Sequence, residues 1–149
     1  LIVVILAYQN LIPKLATMAQ VKQFSTAFFE ACEWVKNNLP DDVVLSTVWV
    51  HRAAYSCDRV VVGNLPDIFL SKDLKLIETN AKDVGITHLF IQKFSLSNED
   101  ISERYRIDVV QFFEENEDHF VKVYENGAPL NECVQQGGCD GNIIYELKF

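Results

Sequence analysis

Basic residues are scarce in this sequence. Its 149 residues include 13 lysines and arginines against 21 aspartates and glutamates, which gives a formal net charge of −8. No run of more than two basic residues occurs. A protein that binds nucleic acid needs a basic face to meet phosphates, and tight adsorption to an anionic lipid surface needs the same charge. The composition therefore argues against both kinds of partner.

Motifs for phosphate, dinucleotide or zinc binding are also missing. The sequence has no Gly-x-Gly-x-x-Gly, no Gly-x4-Gly-Lys, no His-Glu-x-x-His and no paired Cys-x2-Cys spacing. Its histidines, His51, His88 and His119, are far apart. The glycine-rich residues 137–141 stand between two late strand-like segments, where a turn is favoured over a phosphate-binding loop. We therefore expect no complete active site, no metal site and no cofactor in this chain.

Long hydrophobic runs are absent as well, since none approaches the roughly 20 residues that a membrane-spanning helix requires. The longest is LIVVILAY, at residues 1–8. Two interpretations stay open for it: the outer end of a transmembrane helix, with Tyr8 and Lys14 near the interface, or a buried first β-strand. Residues 1–23 are accordingly a helix end or connector, or that strand, and residues 24–149 form one soluble α/β domain.

The rest of the sequence alternates between helical and strand-like patterns. Apolar spacing predicts a helix over 25–38 and a second over about 71–85, with Ser71 as N-cap and Gly85 as C-cap. A third should open with the capping-type spacing at Ser97 and turn four residues inward, namely Ile101, Tyr105, Val109 and Phe113. Strands are predicted over 43–47, 59–63, 87–91, 120–124 and 142–147, whereas 49–57 is predicted as an irregular loop.

Strands separated by helices imply crossover connections, and hence parallel strands covered on both faces. The last two strands are predicted to form an antiparallel pair joined through the glycine-rich loop. The predicted fold class is therefore α/β, a small three-layer sandwich with a mainly parallel sheet and a C-terminal antiparallel strand pair.

The four cysteines suggest disulfide bonds. Cys133 and Cys139 bracket five residues, a loop short enough to be closed by a disulfide, which would contribute roughly 2 kcal/mol in the chain-entropy model. Cys32 and Cys57 are candidates for a second bond, with two buried free thiols as the alternative. Such bonds persist in oxidising compartments, which fits a location outside the cytoplasm.

One stretch combines side chains suited to ligand binding. Trp49, His51, Arg52 and Tyr55 follow the first predicted strand, and ligands of open α/β folds bind beyond the carboxyl ends of the strands. Aromatic rings suit stacking on sugars, and a guanidinium suits phosphate contact. The alternative is structural, with Trp49 and Tyr55 in the core and Arg52 paired with a local carboxylate.

The order of these segments resembles a known domain. The segments are residues 31–45 (ACEWVKNNLPDDVVL), 55–59 (YSCDR), 85–91 (GITHLFI), 119–125 (HFVKVYE) and 144–147 (IYEL). Together they are similar to the soluble domain that follows the last transmembrane helix in membrane-embedded glycosyltransferases of the GT-C type, which use polyprenyl-phosphate-linked sugars. The resemblance extends from about Phe24 to Phe149.

This resemblance implies an extracytoplasmic, membrane-attached domain whose partner is the membrane domain of the same polypeptide. The substrates it implies are a polyprenyl-phosphate sugar and a glycan or protein acceptor. In that family the catalytic acidic residue and the donor-binding residues lie in the membrane part. No functional residue can be carried over to this chain, and a divalent metal, if the parent enzyme needs one, would bind elsewhere. The expected role is thus accessory and non-catalytic.

Two other functions stay open from the sequence alone. One is a membrane-anchored extracytoplasmic interaction domain without a catalytic parent. The other is a free-standing α/β protein that binds a small ligand, with residues 1–8 as its first strand.

Overall fold

The strand-like segments of the sequence form one central sheet, and helices fill most connections between them. A computed structural model describes residues 25–63, 68, 71–97, 105–136 and 139–149. Its helices are α1 (Thr26–Asn38), α2 (Val50–Cys57), α3 (Leu74–Val84), α4 (Ile107–Glu115) and α5 (Leu130–Gln136), with a 3-10 turn at Lys93–Ser95. Its strands are β1 (Val44–Ser46), β2 (Val60–Val62), β3 (His88–Gln92), β4 (Leu96–Ser97), β5 (Tyr105–Arg106), β6 (Phe120–Gly127) and β7 (Gly141–Leu147).

The central sheet has five strands in the order β2-β1-β3-β7-β6. Strand β1 pairs in parallel with both β2 and β3, while β7 is antiparallel to both β3 and β6. Strands β4 and β5 form a separate two-stranded parallel pair. The predicted mainly parallel sheet with a C-terminal antiparallel pair is confirmed.

Helices cover both faces of this sheet. Because successive strand residues point to opposite faces, Phe90 packs in one core with α1 and α2, whereas Leu89 and Ile91 pack in another with α3, α4 and α5. The second core is rich in stacked aromatic rings, such as Phe113 and Phe120 at 4.4 Å between ring centroids. The three-layer α/β sandwich is therefore confirmed as well.

The stretch predicted as an irregular loop forms helix α2, so that prediction was wrong. Ala53 and Cys57, one turn apart, are fully buried in the core shared with α1. His51 and Tyr55, also one turn apart, are exposed. Burial of a narrow apolar stripe stabilises this helix although half of its side chains are polar or aromatic.

The third predicted helix begins later than expected. Ser97 ends strand β4 and Tyr105 opens strand β5, so the helix starts at Ile107. Tyr105 is fully buried, as predicted, but it is a strand residue that pairs with Leu96, and its hydroxyl is hydrogen-bonded inside the domain. Ile101 lies outside the described residues.

Helix α3 follows the prediction except at its first residue. Asp73, and not Ser71, is the N-cap, since its Oδ1 accepts hydrogen bonds from the N–H groups of Lys75 and Leu76 at 3.0 and 3.2 Å. Gly85 ends the helix with φ = +78°, as its predicted C-cap role requires.

Two further expectations concern the ends of the domain. The connection between β6 and β7 contains helix α5, which the sequence pattern did not predict. The alternatives for residues 1–23 fall outside the described part of the chain. Within the described part, no helix is long and apolar enough to cross a membrane.

Both candidate cysteine pairs are disulfide-bonded. Cys32 of α1 is bonded to Cys57 at the end of α2, with their Cα atoms 4.3 Å apart. Cys133 of α5 is bonded to Cys139, with a Cα separation of 4.9 Å. The first bond joins two helices on one face of the sheet, and the second closes the β6–β7 connection.

Candidate functional site

The candidate site lies at the carboxyl edge, the end of the sheet where Ser46, Val62, Gln92 and Gly127 end their strands. Strand β6 ends there too, because two successive antiparallel pairings give it the direction of β3. Helix α2 begins at this edge directly after β1. Helix α1 also begins there, since the Asn126 side chain donates to the Ala27 carbonyl at 2.8 Å.

Trp49 forms an aromatic ledge with Phe94 at this edge. The two ring centroids are 5.9 Å apart, and the residues are 39% and 42% exposed. The indole Nε1–H of Trp49 donates to Ser95 Oγ at 2.9 Å, which fixes the orientation of the ring. Ring faces exposed next to a polar group can stack on a sugar or another planar ligand.

The other three predicted residues lie on helix α2. His51 and Tyr55 are one turn apart on its exposed side, and Tyr55 is 92% exposed. Arg52 is half-buried. Of the four predicted residues, Trp49 forms the ledge with Phe94, and the other three lie on the adjoining helix.

A buried hydrogen-bond network fixes the segment that precedes Trp49. The Val48 N–H donates to the Tyr105 hydroxyl at 3.0 Å, and that hydroxyl donates to the Phe90 carbonyl at 2.9 Å. Thr47 Oγ1 lies 2.8 Å from the same hydroxyl and 3.0 Å from Gln92 Oε1. Burial raises the pKa of Tyr105 far above its ordinary value, so the phenol stays neutral. The segment leading into Trp49 is thereby fixed to β3.

Lys93 is the main residue of this edge that the sequence did not reveal. Its side chain is fully buried, and its ammonium donates to Glu125 Oε1 at 2.6 Å and to the carbonyls of Asn126 and Ala128 at 2.9 and 2.6 Å. These three acceptors use all three of its N–H groups. Lys93 therefore ties the turn that carries Phe94 and Ser95 to the β6–β7 connection.

An ion-pair network extends from Lys93 along one side of β6. Lys122 bridges Glu125 and Glu114 at 2.9 and 3.0 Å, and Glu114 accepts a hydrogen bond from the Tyr145 hydroxyl. Glu114, Lys122 and Glu125 line a groove of about 670 Å³ between α4 and α5. Burial, followed by the nearby Glu114 carboxylate, raises the pKa of Tyr145.

Two charged groups of this groove, Lys122 and Glu125, have pKa values shifted away from neutrality. Partial burial acts to lower the pKa of Lys122, but hydrogen bonds to Glu125 and Glu114 outweigh it and raise the value. Partial burial acts to raise the pKa of Glu125, but hydrogen bonds from Lys93 and Lys122 outweigh it and lower the value. General acid–base catalysis at neutral pH favours a group that titrates near neutrality. Charge pairing of this kind is typical of structural groups.

The lowered pKa of Glu125 predicts acid-sensitive stability. A carboxyl with a depressed folded-state pKa stabilises the fold above its unfolded-state pKa, and that contribution is lost as pH falls through the folded-state value. We expect the stability advantage of wild type over Glu125→Gln to be full at pH 6–7, to shrink as pH falls below the ordinary glutamate pKa of about 4.3, and to be lost only below the lowered pKa of the folded state. Urea unfolding at pH 7, 5 and 3 measures this difference, and a difference independent of pH would contradict it.

Metal binding finds no support in the described side chains. Among residues 25–63, 68, 71–97, 105–136 and 139–149, no group of three or more histidine, cysteine, aspartate or glutamate residues is arranged to hold an ion. At the carboxyl edge, the described structure places the ledge of Trp49 and Phe94 next to the start of helix α2, which carries His51 and Arg52.

Comparisons with known proteins identify a structural relative. No family model matches the chain, and no curated protein matches it. Among solved structures, the C-terminal globular domain of oligosaccharyltransferase from Archaeoglobus fulgidus is similar, with a TM-score of 0.57 and 16% sequence identity. The match covers 85% of this chain and 99% of that domain. This chain thus has a fold like that of the C-terminal globular domain of an oligosaccharyltransferase.

Proposed function

We propose that this chain is the non-catalytic, accessory soluble domain of a membrane-embedded glycosyltransferase. The supporting observation is the structural similarity to the C-terminal globular domain of an oligosaccharyltransferase, which extends over 99% of that domain. The segment-by-segment resemblance to GT-C enzymes was recognised from the sequence independently. The partner of the domain is then the membrane part of the same polypeptide.

The proposed location is the extracytoplasmic side of the membrane. Its support is the pair of disulfides, Cys32–Cys57 and Cys133–Cys139, because reducing cytosols rarely preserve structural disulfides.

The proposed role is to position a substrate through the carboxyl edge. The ledge of Trp49 and Phe94 offers ring faces to a sugar, and Arg52 offers a charge-assisted contact to a phosphate or an acidic sugar. His51 and Tyr55 extend this surface along α2. The ligand is a polyprenyl-phosphate sugar or a glycan or protein acceptor, and the bond-making chemistry belongs to the membrane part.

The test is Arg52→Ala in the full-length protein, assayed for sugar transfer in membranes. Loss of a charge-assisted contact costs on the order of 1–3 kcal/mol, so we expect a roughly 5- to 150-fold weaker apparent affinity for the substrate. Thermal melting of the same variant measures any loss of stability. Reduced transfer with unchanged melting is the expected result.

Lys82→Ala is the matched control. Lys82 is a cation in the last turn of α3, at the opposite edge of the sheet, where its 57%-exposed side chain pairs with Glu78. This variant should leave transfer unchanged. The proposal is contradicted if both variants transfer sugar equally well. It is also contradicted if Arg52→Ala loses transfer only in proportion to its loss of stability.

A further inference from the structure

The turn Lys93–Ser95 is held between two parts of the domain. On one side, Ser95 accepts the indole hydrogen bond of Trp49, and Phe94 contacts its ring. On the other side, Lys93 donates to three acceptors in β6 and the residue after it. The position of the aromatic ledge therefore depends on contacts with the β6–β7 connection.

The C-terminal end of the β6–β7 connection also contacts the turn Lys93–Ser95. The Cys139 N–H donates to the Lys93 carbonyl at 3.3 Å, and the Ala128 N–H donates to the Asp140 carbonyl at 3.3 Å. Ala128 is also an acceptor for the Lys93 ammonium. The residues on both sides of the short helix α5 thus hydrogen-bond to Lys93. Cys139 does so through its N–H and the Lys93 carbonyl, and Ala128 does so through its carbonyl and the Lys93 ammonium.

The Cys133–Cys139 bond closes this arrangement covalently. Cys133 is fully buried on α5, in the same core as the partly buried Leu130 and Val134. Cys139 is half-buried, whereas Cys32 and Cys57 of the other disulfide are 1% and 0% exposed. A soluble thiol therefore reaches the sulfur of Cys139 more readily than either sulfur of the Cys32–Cys57 bond.

We propose that the Cys133–Cys139 disulfide is a redox clamp that regulates the aromatic ledge. While the bond is intact, α5 keeps Lys93 buried and its turn fixed against Trp49. When a dithiol reductant opens the bond, α5 loses its closure, Lys93 becomes accessible to solvent and the ledge loosens. The use of the ledge as a binding surface rests on the proposed function, but the clamp itself does not.

The reduction is a thiol–disulfide exchange with a dithiol. A thiolate of the reductant attacks the Cys139 sulfur, and Cys133 leaves as a thiolate that takes up a proton. The second thiol of the reductant then displaces Cys139 from the mixed disulfide. The net result is two protein thiols and one oxidised dithiol.

The expected size of the effect follows from the length of the closed loop. Removing the closure of a seven-residue loop increases the population of locally open states by a factor on the order of 30. Labelling of Lys93 through local opening should rise by the same factor. Lys72, whose 53%-exposed side chain pairs with Asp108 away from Lys93 and Glu125, should be labelled equally in both redox states.

The experiment is a short pulse of an amine-acetylating ester on the whole chain, followed by peptide mass spectrometry. Oxidised protein is compared with protein treated with increasing concentrations of a dithiol. Alkylation of free thiols after the pulse shows which of the two disulfides is open. The Cys133→Ala/Cys139→Ala variant provides the same comparison without reductant. We expect Lys93 to be acetylated about 30-fold faster once this bond is open and the other is intact.

Two single-tryptophan variants report on the ledge. The sequence has two tryptophans, so Trp34→Phe leaves Trp49, and Trp49→Phe leaves Trp34, whose ring contacts Tyr124 with 4.9 Å between ring centroids. Acrylamide quenching of Trp49 should increase by up to about twofold on reduction, because this residue starts 39% exposed. Quenching of Trp34 should not change.

The clamp is overturned if Lys93 stays protected after selective opening of Cys133–Cys139 in protein whose circular dichroism is native. It is overturned equally if the Cys32–Cys57 bond opens first, or if quenching of the two tryptophans rises together. If Arg52→Ala does not reduce sugar transfer, the proposed substrate role is wrong, but the labelling result for Lys93 is unaffected. The two proposals can therefore fail separately.

Discussion

Replacing Lys93 with alanine is expected to destabilise the fold by about 3–5 kcal/mol, because the change leaves buried acceptors and the Glu125 carboxylate without their cation. The ammonium satisfies the carbonyls of Asn126 and Ala128 as well as Glu125. For a chain of this length, such a loss corresponds to a drop in Tm of roughly 10–15 °C. Urea unfolding followed by circular dichroism measures it.

Lys122→Ala is the control for this prediction. Lys122 also pairs with Glu125, but its side chain is 37% exposed, and exposed ion pairs contribute about 0–1 kcal/mol. Lys93→Met keeps the aliphatic part of the side chain and should fall between the two. If Lys93→Ala unfolds at the same urea concentration as Lys122→Ala, the buried ammonium does not stabilise the β6–β7 connection.

Gly127→Ala is expected to cost about 2–5 kcal/mol, from two separate causes. Gly127 has φ = +74°, a left-handed conformation that is unfavourable for alanine. A Cβ added there would also lie 2.2 Å from the Asp140 carbonyl oxygen, on the neighbouring backbone of the same connection. Backbone must shift to make room, and Gly127 lies between the two carbonyls that bind Lys93.

Gly85→Ala separates these two causes. Gly85 has a similar φ of +78°, but a Cβ there meets nothing within 4 Å, so only the conformational cost of about 1–2 kcal/mol applies. Thermal melting of the two variants side by side gives the difference that is due to the close backbone approach. Equal losses at Gly127 and Gly85 would show that the β6–β7 connection tolerates a side chain.

Periodicity alone was sufficient to predict the main architecture. The apolar positions of α1 and α3 recur at helical spacing, and the strand segments are short, β-branched and flanked by turn residues, so the order of elements implied a parallel sheet covered on both faces. The closing pair, β6 and β7, followed from the same pattern. The disulfide partners followed from spacing at Cys133 and Cys139, where few alternatives existed.

Other features depend on contacts between residues far apart in the sequence. Helix α2 exists because Ala53 and Cys57 are buried against another helix, and no local pattern of only eight residues encodes that. Tyr105 pairs as a strand residue with Leu96, and its hydroxyl binds partners from β3 and the segment after β1. Tertiary contacts of this kind override local propensity.

The candidate surface was predicted only in part. Trp49 lies at the carboxyl edge, as its position after the first strand implied, but its neighbours Phe94 and Ser95 follow a different strand, more than 40 residues later. The only feature of the sequence that could have drawn attention to Lys93 is that it directly follows a buried strand. Its burial was not foreseeable, because all three of its acceptors lie between Glu125 and Ala128.

The Cys32–Cys57 bond turns part of the chain into a covalent ring. Trp49, His51, Arg52 and Tyr55 all lie inside this ring. A protease that cuts one peptide bond between Cys32 and Cys57 therefore leaves a single molecule, since the two new ends stay joined through sulfur. The surface that carries these side chains can be nicked without shedding a fragment, and it separates into two pieces only after the bond is reduced.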